Sequence, residues 1–258
     1  MIQFNINRFG KLAKWSLTND KDYLVRTFLQ VLAVQTLMFL LFTTGFIMVN
    51  GHHQNYFSCA FLSIMFFVFL VLIGPSTMFN SMKSKHDMQS LFLLPASNLE
   101  KYLIRYCSWI TLIPIFIAAS FFADLIQYVV NWLLGHDKTM LVASKIIYLL
   151  GENTVVSPRL INSLLVVALW INSWYALGGT FFRSRKYAWI LCTLSLIVLG
   201  MILFWVMPSN VHFEINDRTD TLTIVIIDAI YLALVMLNFW FSFKCFCRTQ
   251  NIGRIINI

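Results

Sequence analysis

Charge is what this chain has least of. Only 12% of its 258 residues are Asp, Glu, Lys or Arg, about half the share found in soluble domains. That scarcity excludes an ordinary water-soluble globular protein. Missing motifs narrow the field further. No G-x-x-x-x-G-K-[ST] occurs, so the chain does not bind ATP through a P-loop. No H-E-x-x-H or G-x-S-x-G occurs either, which removes the zincin and nucleophile-elbow arrangements. No histidine lies inside an apolar run. His52 and His53 are adjacent, with no cysteine or carboxylate close by in sequence, and read as solvated loop residues. No metal site and no cofactor bound by this chain are expected. The five cysteines are Cys59, Cys107, Cys192, Cys245 and Cys247. None has an outer-side partner, so no structural disulfide is expected. The first apolar run is too long for a signal-peptide core and lacks a small-x-small cleavage site, so it reads as a retained span.

What remains is apolar. Hydrophobic residues make up 59% and aromatics 16%, and mean hydropathy is +0.74. A bilayer core needs about 20 apolar residues per helix, and six runs qualify. Residues 28–49, 56–79, 160–182 and 187–207 carry no charge. Residues 106–123 are also free of charge and extend past Asp124 to about Trp132. Residues 221–243 hold one charge, Asp228. The runs are continuous rather than alternating, which favours helices over barrel strands.

The net charge of +8 is placed unevenly. With the N-terminus assigned to the cytoplasm, fifteen of the nineteen Lys and Arg fall on that side. This is the positive-inside pattern, and it accounts for the basic pI without nucleic acid. The expected fold is therefore all-α: one polytopic transmembrane domain over residues 1–258, with six spans and both termini cytoplasmic. Phe4, Phe9, Leu12 and Trp15 share one side of a helix in residues 1–26, although Arg8 interrupts that face. An amphipathic helix on the inner leaflet is expected there. Residues 133–158 form the longest outer segment, with an apolar stretch at 139–150 too short to span. Residues 183–186 permit only a tight inner hairpin.

Charges inside spans are costly and often functional. Asp124 and Asp228 therefore either line a polar pathway, pair with each other, or reach interfacial water. The fourth span is polar for a membrane helix, with Asn162, Ser163, Asn172 and Ser173. Such groups hydrogen-bond across helices. Gly178-Gly179 would allow a neighbour to approach closely.

Residues 82–106 carry their own turn instructions. Pro95 ends one helix, because the residue before a proline is pushed out of the α region. Ser97 and Glu100 form the capping-box spacing that starts the next. A helix, a proline turn and a capped helix make an elbow larger than a bare connection requires.

The elbow and the span layout together resemble the permease subunits of ATP-binding-cassette exporters of the second export class. The quoted features are Lys83-Ser84-Lys85, then Leu91-Phe92-Leu93-Leu94-Pro95-Ala96-Ser97, then Glu100-Lys101-Tyr102, and the stretch from Tyr175 to Phe182. The resemblance implies a cytoplasmic coupling helix within residues 82–96 that docks on a separate ABC ATPase. Lys83, Lys85, His86, Asp87, Leu91, Leu94, Pro95, Ser97 and Glu100 would form it and its joint. ATP and magnesium would be held by that partner. A second permease, identical or related, would complete the pore in the bacterial cytoplasmic (inner) membrane. Two other classes fit the same architecture: a non-transporting assembly or signalling subunit, and an intramembrane enzyme or channel.

Overall fold

In lipid a backbone N–H has no water to bond, so a spanning segment pairs its own donors and acceptors by coiling into a helix. The computed structural model describes residues 4–46, 55–79, 85–136, 139–151, 158–182, 187–206 and 221–251, and every α or 3-10 element among them is helical. The order is α1 (Ile6–Asn19), α2 (Lys21–Thr43), α3 (Tyr56–Ile73), a 3-10 turn (Gly74–Thr77), α4 (Lys85–Leu93), α5 (Asn98–Ser108), α6 (Leu112–Leu133), α7 (Val142–Gly151), α8 (Pro158–Phe181), α9 (Ala188–Val206) and α10 (Thr221–Asn251). Five stretches are long and apolar enough to cross a membrane: Lys21–Thr43, Tyr56–Thr77, Asn98–Leu133, Ile161–Phe181 and Ile224–Arg248. The chain is thus a multi-pass membrane protein. Of the six expected spans, the fifth corresponds to α9, whose apolar part Ala188–Ile202 is shorter than the others. Leu37, Phe69, Leu164, Met201 and Met236 are exposed on these helices, as lipid-facing side chains should be.

Two spans that read as continuous in sequence are interrupted. In the second, regular α-helix stops at Ile73, and the 3-10 turn begins at Gly74 with Pro75 as its second residue. Ser76 and Thr77 hydroxyls donate to the Ile73 and Gly74 carbonyls at 2.7 Å each. In the third, α5 and α6 are separated at residues 109–111. Pro114 has no N–H for the Ile110 carbonyl and its ring crowds that carbonyl. Tighter bonds replace the lost turn: Leu112 N–H to Trp109 O at 2.9 Å and Ile113 N–H to Ile110 O at 3.1 Å.

The contacts divide the chain into two compact units. One comprises Met1–Leu12, Leu72–Cys107 and Ser157–Ile258; the other comprises Ala13–Val71 and Ser108–Val156. In the second unit, α2 packs on α6. Gln35, Phe39 and Thr43, spaced by four, are the buried residues of α2. Phe39 joins Tyr56, Cys59, Ala60, Ala123 and Val142 in the core.

In the first unit, α8 is central. Ser163 meets Asp228 and Ser173 meets Asn238, each 65 residues apart, so α8 and α10 run parallel. Trp174 meets Ser195 and Tyr175 meets Thr193, so α8 and α9 run antiparallel. Gly178 lies against the Cys192 sulfur of α9, and Gly179 against the backbone of the 3-10 turn. The glycine pair thus serves the close approach that the sequence suggested. A Cβ on Gly179 would sit 2.8 Å from Pro75 O and 3.0 Å from Ser76 Cα, backbone atoms that cannot swing aside. Gly179→Ala should therefore destabilise the protein by about 1–3 kcal/mol. Gly200→Ala, with nothing within 4 Å of its Cβ, should be neutral or stabilising by up to about 1 kcal/mol. Thermal unfolding of the detergent-purified variants compares the two, and equal melting temperatures would contradict the packing.

Candidate functional site

The elbow forms as its residues dictate. Helix α4 ends at Leu93, Pro95 lies in the turn, and α5 begins at Asn98. The capping box is reciprocal. Ser97 N–H donates to Glu100 Oε2 at 2.7 Å, and Glu100 N–H donates to Ser97 Oγ at 3.3 Å. Lys101 Nζ donates to Phe92 O at 2.7 Å, so a charged side chain of α5 caps the open end of α4.

Glu100 has a second role that sequence spacing does not reveal. Its side chain is 0% exposed and meets the N-terminal helix. Arg8 Nε donates to Oε2 at 2.9 Å and Arg8 Nη2 to Oε1 at 2.7 Å, a bidentate pair. Asn5 N–H donates to Oε1 at 2.7 Å. Asn5 in turn caps α1, its side-chain oxygen accepting from Asn7 and Arg8 N–H. Arg8, which broke the apolar face of residues 1–26, is the tie that holds α1 to the elbow. The hydrogen bond to Glu100 raises the Arg8 guanidinium above its ordinary value, against a smaller opposing effect of burial.

The expected coupling residues separate. Lys83 lies outside the described residues, as do the side chains of Lys85, His86 and Asp87 in the first turn of α4. Leu91 was expected at the docking surface; it is 0% exposed and belongs to the interior. Leu94 is half-buried and Pro95 exposed. The outward leucine is Leu93, at 84% exposure. Ser97 and Glu100 shape the joint. Alternation of buried and exposed leucines on so short a helix is set by what lies beneath it. Phe92, between the two leucines, packs its ring on Phe246 of α10, a contact that local sequence cannot indicate.

The intramembrane polar residues are engaged with protein. Asp124 is buried, at 3% exposure. Its Oδ1 accepts from Val142 N–H at 2.8 Å and its Oδ2 from Ala143 N–H at 2.9 Å. These are unpaired donors of the first turn of α7, and the carboxylate sits where the helix dipole favours negative charge. Gln127 Nε2 donates to Asp124 Oδ1 at 2.9 Å and to Met140 O at 3.0 Å. Asn131 Nδ2 donates to Thr43 Oγ1 at 2.8 Å and to Gln127 Oε1 at 2.9 Å. Gln127 and Asn131 were legible as polar positions three and seven residues beyond Asp124, and the sequence reading passed over them. Asp228 accepts from Ser163 at 3.1 Å. Each aspartate is thus met by donors within its own unit. Asn172 accepts from Tyr106 Oη at 2.8 Å. An exception to this pairing is Gln35, whose buried amide finds no partner among the described residues. Among those residues no three His, Cys, Asp or Glu side chains gather as metal ligands would.

Compared with protein-family models, curated proteins and solved structures, the chain matches none. The Asp124 anchor is testable by itself. Asp124→Ala leaves the Val142 and Ala143 N–H groups without their acceptor and Gln127 with only Met140 O, a loss of about 1–3 kcal/mol. Amide exchange over residues 141–151 should rise, and less so in Asp124→Asn, which keeps one carbonyl acceptor. Unchanged exchange in both variants would remove the anchor.

Proposed function

We propose that the chain is the permease subunit of an ATP-driven exporter of the second export class. It works with a separate cytoplasmic ATPase and a second permease, identical or related. The observation that carries this reading is the elbow. A short helix, a proline turn and a reciprocally capped second helix are tied by Lys101 to Phe92 O and by Glu100 to Arg8. A stiff joint of this kind passes a push from a partner into the membrane with little lost in bending. Among the described residues, Leu93 is the most exposed apolar side chain it presents.

Six spans with both termini inside accord with the helix directions. Parallel α8 and α10 require the chain between them to return across the bilayer, and α9 is the element placed to do so. The lysines and arginines concentrated in the N-terminal segment, the elbow, the 183–186 loop and the tail put those segments on the cytoplasmic side. Helix α1 then lies at the inner leaflet, with Ile6 and Leu17 exposed to lipid. ATP and magnesium belong to the ATPase, and the bacterial cytoplasmic membrane is the setting.

The tagged chain, purified from its native membrane in mild detergent, should bring down an ATPase with a Walker motif in fixed stoichiometry. Leu93→Asp places a charge on the docking tip and should weaken that association at least about tenfold. Leu91→Asp is unsuitable, because it disrupts the interior. Undiminished association in Leu93→Asp would sink the docking assignment. An ATPase that associates but never responds to any transported compound would favour the non-transporting alternative.

A further inference from the structure

Helix α5 leads directly into α6, so the shortest route for movement of the elbow is straight along the chain into α6. Both segments flanking the elbow are poorly suited to that. The helix is broken at residues 109–111 on one side, and α3 has given way to the Gly74–Thr77 turn on the other. A broken helix bends where its ladder is interrupted.

The firm contacts of α5 run sideways. Tyr102, 5% exposed, donates to Ser242 Oγ of α10 at 2.9 Å. Ser242, 0% exposed, donates to Ala176 O of α8 at 3.3 Å and lies 3.1 Å from the Thr180 hydroxyl. One turn further along α5, Tyr106 donates to Asn172 of α8 at 2.8 Å, and its ring packs edge-on against Phe239 of α10. The rings add a second set of ties. Phe246 of α10, 1% exposed, touches Phe92 of α4 at 5.9 Å, Tyr102 at 5.7 Å and Phe79 at 6.1 Å. Lys101 and Glu100 secure α4 and α1 to the same helix. Consecutive residues of α5 thus hold α1, α4, α10 and, one turn on, α8.

We propose that Tyr102 and Tyr106 are positioning residues that pass movement of the elbow into the α8–α10 pair rather than up the chain into α6. The parallel helices α8 and α10, already pinned to each other by Ser173–Asn238 and Ser163–Asp228, then move as one body with the elbow. The use of that movement in transport rests on the permease reading above. The mechanical link stands without it and is measured on this chain alone.

Hydrogen–deuterium exchange on the full chain in lipid nanodiscs tests the link. Tyr102→Phe with Tyr106→Phe keeps both rings and removes only the hydroxyls, so packing and folding are preserved. Amides of residues 172–180 and 238–246 should exchange about fivefold faster, the factor expected for one lost hydrogen bond. Residues 112–133 should be unchanged. Adding Ser242→Ala to Tyr102→Phe also removes the bonds of Ser242 to Ala176 O and the Thr180 hydroxyl, and should raise exchange in residues 176–180 further. A purely local packing role would raise exchange within α5 alone and overturn the proposal. So would faster exchange in residues 112–133 that matches or exceeds that in α8 and α10. Loss of ATPase association in the Leu93→Asp experiment bears on the permease reading and leaves this measurement untouched.

Discussion

The carboxylate of Glu100 has no water to turn to. It is 0% exposed, and an unpaired charge in that position is among the most costly things a fold can hold. Donors must therefore be brought to it, and they come from three places in the chain. The Asn5 backbone, the Arg8 guanidinium and the Ser97 backbone converge on its two oxygens. The start of α5, the angle of the proline turn and the seat of α1 follow from that convergence. Once α5 is set, its next residues have fixed directions. Lys101 closes α4, while Tyr102 and Tyr106 reach α10 and α8.

The same constraint organises the membrane interior. Polar side chains in the spans are met by partners at near-constant spacing along the helices, Ser163 with Asp228 and Ser173 with Asn238. In the other unit, Thr43, Asn131, Gln127 and Asp124 form a chain of bonds ending on the backbone of α7. Each such bond is modest, on the order of 1 kcal/mol. Their joint effect is on register, because a sliding helix would leave several of them unmade at once.

How much of this was legible in the sequence depended on range. Helical spans follow from composition, and the elbow follows from Pro95 with the Ser97/Glu100 spacing, all local rules that the structure bears out. The glycine pair at 178–179 was legible as a close approach because only a missing Cβ permits one. The breaks near Pro75 and Pro114 obey equally local rules, but unbroken hydropathy masked them. The Arg8–Glu100 tie spans 92 residues, and one sequence offers no way to pair those two charges over others. Leu91 and Leu93 look alike on paper. One is 0% exposed and the other 84%, a difference set by tertiary packing that neither residue's neighbours in sequence reveal. The comparisons with known proteins are silent, so the exporter reading rests on the elbow and the charge distribution.

The grip of Asp124 on α7 is made through main-chain N–H groups of Val142 and Ala143. Every residue but proline carries that group, so the anchor itself ignores side-chain identity. The half-exposed side chain at Ala143 and the outward one at Ile147 can therefore change without loosening the helix from its seat. A segment built this way can change its surface repeatedly while its position in the protein stays the same.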